Sequence, residues 1–388
     1  MTALTHRPLG GKVLTKPFLV FGIFALMAAF FLARRFLFGL SDVTHLSGGY
    51  PWGIWAVIDV VIGTAIGCGG FAIALLVYVF NRNLYHPLMR PALLGGVFGY
   101  TLGGLAVMFD LGRYWNVYNL FLPWQMQFNS VMYEIALCVM TYITVLWIEF
   151  WPAFLERLPL AFKQRFGLDK LHRLLKRYMF VFIAIGVLLP TMHQSSLGSA
   201  LLVMGSKLSP LWYTPWLPLL FLMSALIMGY GIVTLEATLV TQTFNLPSEA
   251  RLLARLSPII TGLLIGFLVL RFADLLYRGQ LGLAVVGDCN SGLFWMETLL
   301  FAAPIFILAS PARRTRQRFL FLASVWLLLA GALYRIDAYL VAYNPGNGWT
   351  YFPSVPELMV TIGVICLEIM LYLLFIKTLP VLHGAHKT

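Results

Sequence analysis

Glu134, His193 and Glu236 are ionisable residues set inside apolar stretches, with no ion-pair partner close by in the sequence. Such a residue costs roughly 3 kcal/mol at the centre of a membrane span and usually faces a cavity, a partner or a transport path. Two carboxyls and an imidazole in that setting suit proton transfer. Asp59, Asp110 and Tyr114 fall at a level similar to His193. Together these four suit the head of a small lipophilic molecule that takes up protons, as a quinone does. His193 is then expected to donate to one carbonyl oxygen, with Asp59 or Tyr114 serving the other, and Glu134 to relay protons. Glu236 lies towards the other end of its stretch, and with Arg271, Asp274, Arg335 and Asp337 it forms a candidate proton path. Plainer readings stand beside these. Arg271 and Asp274 are spaced to pair with each other on one helix, Asp110 and Arg113 could be a solvated helix end, and Glu149 and Glu357 read as interfacial.

The elements that position these groups follow from composition. The chain has 388 residues, 60% hydrophobic and 11% charged, whereas a typical globular domain carries about 25% charged residues. That excludes an ordinary soluble protein, and it equally excludes a disordered chain or a disulfide scaffold, since there are only four Cys. Runs of about 20 apolar residues cross a bilayer as helices. Ten such runs occur, near 17–39, 53–80, 88–112, 128–150, 178–200, 212–241, 256–278, 290–310, 319–342 and 357–382. The expected fold is an all-α polytopic membrane protein. Its first run is too long for a signal-peptide core and reads as a retained helix, and the largest loop is about 151–177.

Lys and Arg gather on the cytoplasmic side of membrane proteins. Counted on alternate sides of the ten runs, twenty fall on one side and three on the other, with four inside spans. Both termini, 1–16 and 383–388, are therefore expected in the cytoplasm. The net charge of +12 is a topology signal, with no nucleic-acid partner implied. Asn129-Ser130 before Glu134 resemble Asn290-Ser291 before Glu297, and Phe109-Asp110-Leu111 resembles Ala273-Asp274-Leu275. These matches point to two parallel four-helix bundles, 53–200 and 212–342, flanked by helices at 17–39 and 357–382. Polar sites in bundles commonly lie between facing helices.

Ligand counting bounds the cofactors. A membrane b-type haem normally takes two axial side chains on facing helices, and only His193 is deep in a span, so no haem is expected in this chain. Cys68, Cys138, Cys289 and Cys366 are scattered, which leaves neither an iron–sulfur cluster nor a zinc site; no metal ligands are assigned. The outer loops 40–52, 112–127 and 342–356, rich in Trp, Tyr, Pro and Gly, suit either a protein-docking surface or an interfacial aromatic belt. A proton-coupled secondary transporter without redox partners would use the same buried charges.

Several motifs extend this reading: Gly48-Gly49-Tyr50-Pro51-Trp52-Gly53, Phe109-Asp110-Leu111-Gly112-Arg113-Tyr114-Trp115, Asn129-Ser130-Val131-Met132-Tyr133-Glu134 and Leu189 to Gly198. With these the chain resembles the NrfD, or polysulfide-reductase, membrane-subunit family. Asn344-Pro345-Gly346 and Tyr351-Phe352-Pro353 bring it nearest to the HybB-type subunits of periplasm-facing uptake nickel–iron hydrogenases. The resemblance implies a haem-free subunit of the bacterial inner membrane that reduces quinone, menaquinone or ubiquinone. It implies electrons from a periplasmic ferredoxin-like iron–sulfur subunit, with the small and large hydrogenase subunits beyond it. It also implies that Glu134 and Glu236 matter for proton movement.

Overall fold

The computed structural model describes residues 6–383; Lys387, most of the tail 383–388 and the first five residues lie outside them. Ten helices are long and apolar enough to cross a membrane. They are α1 (Lys16–Phe38), α2 (Ala56–Val79), α3 (Asn83–Asp110), α4 (Val131–Arg157) and α5 (Leu168–Leu202). The second half holds α6 (Leu217–Thr243), α7 (Ala250–Tyr277), α8 (Cys289–Leu308), α9 (Gln317–Val341) and α10 (Val355–Thr378). The chain is an all-α polytopic membrane protein. The segment read as a long loop is largely helical: α4 continues to Arg157, a short helix covers Leu160–Arg165, and α5 starts at Leu168. Polar residues hide a helix that outruns the apolar stretch.

α2 through α5 contact one another in succession, and α5 returns to touch α2. α6 through α9 do the same, with α9 packed along α6. The two sets meet where α2 and α5 pack on α6 and where α2 touches α9. α2 is therefore the innermost helix, 83% of its most apolar stretch being buried against 6% for α1. The Asn-Ser pairs do not occupy equivalent places: Ser130 caps α4, whereas Asp288 caps α8 and Ser291 lies inside it.

α1 and α10 pair with each other on the flank of α3. Gly363 makes this possible, since a Cβ there would overlap Ala28 Cβ and come 2.7 Å from the Phe24 carbonyl oxygen. Small residues let membrane helices approach this closely because lipid offers no hydrophobic drive for helix association. At the outer end of the pair, Ser354 and Glu357 form a capping box on α10. At the other end, β1 (His6–Arg7) pairs antiparallel with β2 (Leu382–His383), and Leu9 N–H donates to the Ile376 carbonyl at 2.9 Å. Both ends of the described chain thus lie on one face, called here the terminal face.

Gly363→Ala is expected to cost about 1–3 kcal/mol through overpacking, read as a lower thermal unfolding midpoint of the purified protein. Burial, together with the nearby Arg90 and His383, lowers the pKa of His6 from 6.5 to about 4. The folded state then holds fewer protons than the unfolded state between those values, so stability falls as pH drops through that window. A lower protection factor for the Leu9 amide on acidification from pH 6.5 towards 4, after correction for the intrinsic exchange rate, is the expected sign.

Candidate functional site

α2 supplies the centre of the polar interior. Its first segment, Ala56–Ile62, is a π-helix, a wider turn that often marks functional positions, and it buries Asp59 with Oδ2 unpartnered. Below it, Thr64 donates its hydroxyl proton to the Val60 carbonyl at 2.6 Å. Thr64 Oγ1 can then only accept from its other neighbours, Gln194 Nε2 and His193 Nε2, each at 3.1 Å. His193 therefore carries its proton on Nε2 in this network. Its Nδ1, buried and without a partner, is an acceptor. Donation to a quinone carbonyl, as expected of His193, would therefore have to come from Nδ1 and would need a second proton on the ring.

The four residues expected around a quinone head divide by depth. Asp59 and His193 are 5% and 1% exposed, closed off inside the bundle. Asp110 and Tyr114 are half-buried at the outer end of α3. Arg35 of α1 organises that end: its Nε donates to the Phe109 carbonyl at 2.8 Å and its Nη2 to the Leu111 carbonyl at 2.5 Å. These carbonyls are left open where α3 stops. The Arg35 guanidinium also lies over the rings of Phe36 and Tyr114 at 5.5 and 5.6 Å. The role of Arg35 was legible only as a charge inside a span; its partners come from 74 and 76 residues away.

The charges of the second helix set are differently partnered from the expectation. Arg271 does not pair with Asp274; it pairs with Glu297 of α8, fully inside the protein, and Trp212 Nε1 donates to Glu297 Oε2 at 3.0 Å. Asp274 pairs with Arg278 one turn on, at 2.6 Å. Arg335 has no carboxylate partner among the described residues. Its Nη1 donates to the Val61 carbonyl at 2.6 Å, and its Nη2 reaches Gln194 Oε1 and the Phe221 carbonyl at 2.9 Å and Ser224 Oγ at 3.1 Å. Asp337 opens another π-helical stretch, Asp337–Val341, with both carboxylate oxygens buried and unpartnered. On α6, Ser224 and Glu236 are separated by about 18 Å of helix rise, so Glu236 does not join the Arg335 group.

Glu134 is the fourth residue of α4 and accepts from Ser196 Oγ at 2.8 Å. Glu236 lines a cavity of about 290 Å3 at the terminal face, with Glu249, Tyr372 and His383. Glu357 stands in the first turn of α10, at the end of its span as expected of an interfacial residue, but it is 1% exposed. It accepts from His45 N–H at 3.0 Å, Ser354 N–H at 2.8 Å and the Tyr351 hydroxyl at 2.7 Å. Glu149 is half-buried, with Oε1 unpartnered against the Gly186 backbone of α5.

The family described as "Polysulphide reductase, NrfD" matches residues 42–341. An Escherichia coli protein named "Probable Ni/Fe-hydrogenase 2 b-type cytochrome subunit" is 45% identical, covering 97% of this chain and 95% of the relative. A Nitratidesulfovibrio vulgaris "Menaquinone reductase, integral membrane subunit" is 26% identical over 90% of this chain and 88% of its own length. A selenate reductase subunit from Mesobacillus selenatarsenatis is 23% identical over 94% of this chain and 93% of its own length.

The name of the E. coli relative implies haem in that protein, and it overturns the expectation of a chain without haem. His193 Nδ1 is a buried imidazole nitrogen with a free lone pair. His6, His45, His86, His172 and His383 lie at helix ends or outside the spans. Among the described residues no second imidazole faces His193, so they do not fit a b-type haem held between two histidines.

The Arg271–Glu297 pair yields a measurable expectation. Glu297→Gln leaves the guanidinium uncompensated and is expected to cost about 3–5 kcal/mol, whereas replacing both residues by apolar ones recovers most of that loss. Denaturant unfolding of the single and double variants checks it.

Proposed function

Since the chain belongs to the NrfD (polysulphide reductase) family, we propose that it passes electrons from an iron–sulfur partner to membrane quinone within a respiratory hydrogenase complex. The family, with relatives named as a hydrogenase subunit and a menaquinone reductase membrane subunit, supports a quinone-linked redox membrane subunit. The hydrogenase assignment follows the printed name of the E. coli relative. The observation that carries the quinone reading is the graded polar end of α2, α3 and α5. Asp110 and Tyr114 stand half-buried at the rim, and Arg35, Asp59 and His193 are enclosed behind them. Exposed rings of Trp115, Tyr118, Trp124, Trp349 and Phe352 crown the same end, where a ferredoxin-like subunit and the small and large hydrogenase subunits would dock.

In this reading the chain sits in the bacterial inner membrane with the basic terminal face in the cytoplasm and the aromatic end in the periplasm. The two sets α2–α5 and α6–α9 act as two bundles of a parallel repeat, with the site in the first. A quinone entering from lipid meets Tyr114 and Asp110 at the rim, where Arg35 holds the backbone that presents them. His193 Nδ1 is an acceptor, so neutral His193 fits a quinol hydroxyl. Once protonated it donates from Nδ1 to a quinone oxygen while Nε2 stays on Thr64. Glu134, tethered by Ser196, exchanges protons with the outer side.

Protons for the quinone are drawn from the terminal face through Glu236. Charge moved against the potential is worth about 2.3 kcal/mol per 100 mV, so uptake from that side would couple quinone reduction to the membrane potential. Arg271 and Asp274, each in an ion pair, and Arg335, held by neutral oxygens, act as fixed charges around this path, and Asp337 is the titratable member among them. A transporter would use the same charges but would need no redox partner.

The test uses the complex purified with its redox partners. His193→Ala is expected to lower hydrogen-dependent quinone reduction about 100-fold, with hydrogen-dependent reduction of a soluble dye unchanged. Equal loss of both activities would reject the quinone role for this residue.

A further inference from the structure

Three glycines on one face of α3 are each approached by an acidic residue from another helix. A Cβ at Gly95 would lie 2.8 Å from Glu236 Oε1 of α6, and one at Gly99 would lie 3.3 Å from Glu368 Oε1 of α10. One at Gly103 would lie 2.7 Å from the Asp59 carbonyl oxygen of α2. Successive members of this series are four residues apart, about 6 Å along the helix axis. The absence of side chains at Gly95 and Gly99 admits the two glutamate carboxyls, and at Gly103 it admits the α2 backbone at Asp59. The two positions that receive Glu236 and Glu368 are thus about one helical turn apart on α3. Glu368 lies within electrostatic reach of both Glu236 and Asp59, and Asp59 within reach of Asp110.

Two independent features bound the series. At the terminal face it opens into the 290 Å3 cavity shared by Glu236, Tyr372 and Glu249, where burial raises the carboxyl of Glu249 above its ordinary range. At the inner end stands Asp59, 5% exposed, with an unpartnered oxygen. Glu368 accepts no hydrogen bond from any described residue, unlike Glu357 on the same helix, which is saturated by structural donors. A carboxyl placed between two others, and unused by the fold, is free to exchange a proton.

We propose that Glu368 is a proton-carrying residue that connects the Glu236 cavity to Asp59, so that α10, outside the stretch 42–341 matched by the family, completes the path. A proton entering at Glu236 passes to the Glu368 carboxylate and from there to the Asp59 carboxylate. Each donor is left as a carboxylate, and the next proton enters from the cavity. The step rests on the proposed quinone reading for its destination, while the groups themselves stand on geometry.

The complex with its redox partners, in vesicles of phosphatidylethanolamine and phosphatidylglycerol enclosing a pH-sensitive dye, provides the test. Glu368→Gln is expected to lower both quinone reduction and proton uptake from the terminal side about tenfold or more, leaving dye reduction by the partners unchanged. Glu368→Asp, which keeps the carboxyl, is expected to recover most of the rate. Uptake in Glu368→Gln at the wild-type rate overturns the proposal. An infrared pH titration of the full-length chain reads the same group without turnover. A titrating carboxyl C=O band that disappears in Glu368→Gln supports the proposal, and an unchanged spectrum overturns it. If the wild-type complex reduces no quinone, the quinone reading fails, and the infrared band alone decides for Glu368.

Discussion

The Arg335 guanidinium is held by oxygens from three other helices: Val61 on α2, Gln194 on α5, and Phe221 and Ser224 on α6. No water is available inside a bilayer to complete an unfinished hydrogen bond, and each unsatisfied polar group there costs several kcal/mol. A cation that long and that deep can stay only if the surrounding helices turn their polar atoms towards it. The bond from α9 to the Val61 carbonyl falls within the π-helical stretch of α2, and Gln194 passes the constraint on to Thr64 and His193. The seam between the two helix sets and the orientation of the central imidazole are therefore fixed by one side chain.

From that constraint follows a division of the buried charges by duty. Arg271 and Glu297 neutralise each other, Glu357 ties the entry of α2 to the entry of α10, and Arg35 closes the end of α3. These groups have their valences filled. Asp59, Asp337, Glu149 and His193 Nδ1 do not, and Glu368 stands on the same glycine face of α3 as Glu236. A buried polar atom without a partner is costly to keep, and chemistry is assigned to Asp59, Asp337 and His193 among these. The flanking pair α1 and α10 is drawn into the same logic, since it contributes Arg35 at one end and Glu368 in the middle.

Membrane insertion, the all-α fold and the family were legible from the chain alone. The ten spans came out within a few residues at most boundaries, because an apolar run is a local sum over neighbours. The exceptions, α4 running on to Arg157 and α5 beginning at Leu168, arose where polar residues continue a helix beyond its apolar part. The partners that bury Glu357 were also hidden: His45 and Tyr351 sit in loops, whose approach no periodicity reveals.

Each of these buried charges leaves water because it lies in a run too apolar to do anything but enter the membrane. Which partner it meets there follows from how the helices pack. Arg271 takes Glu297 from 26 residues away in place of Asp274, Arg335 takes Gln194 from 141 away, and Glu368 is set beside Glu236 by a face of glycines. The physical reason is that burial depends on a residue's own neighbours along the chain, whereas pairing depends on the rotation of each helix and on which helix lies next to it. Those are settled jointly, by satisfying every polar group in a medium that offers none of its own.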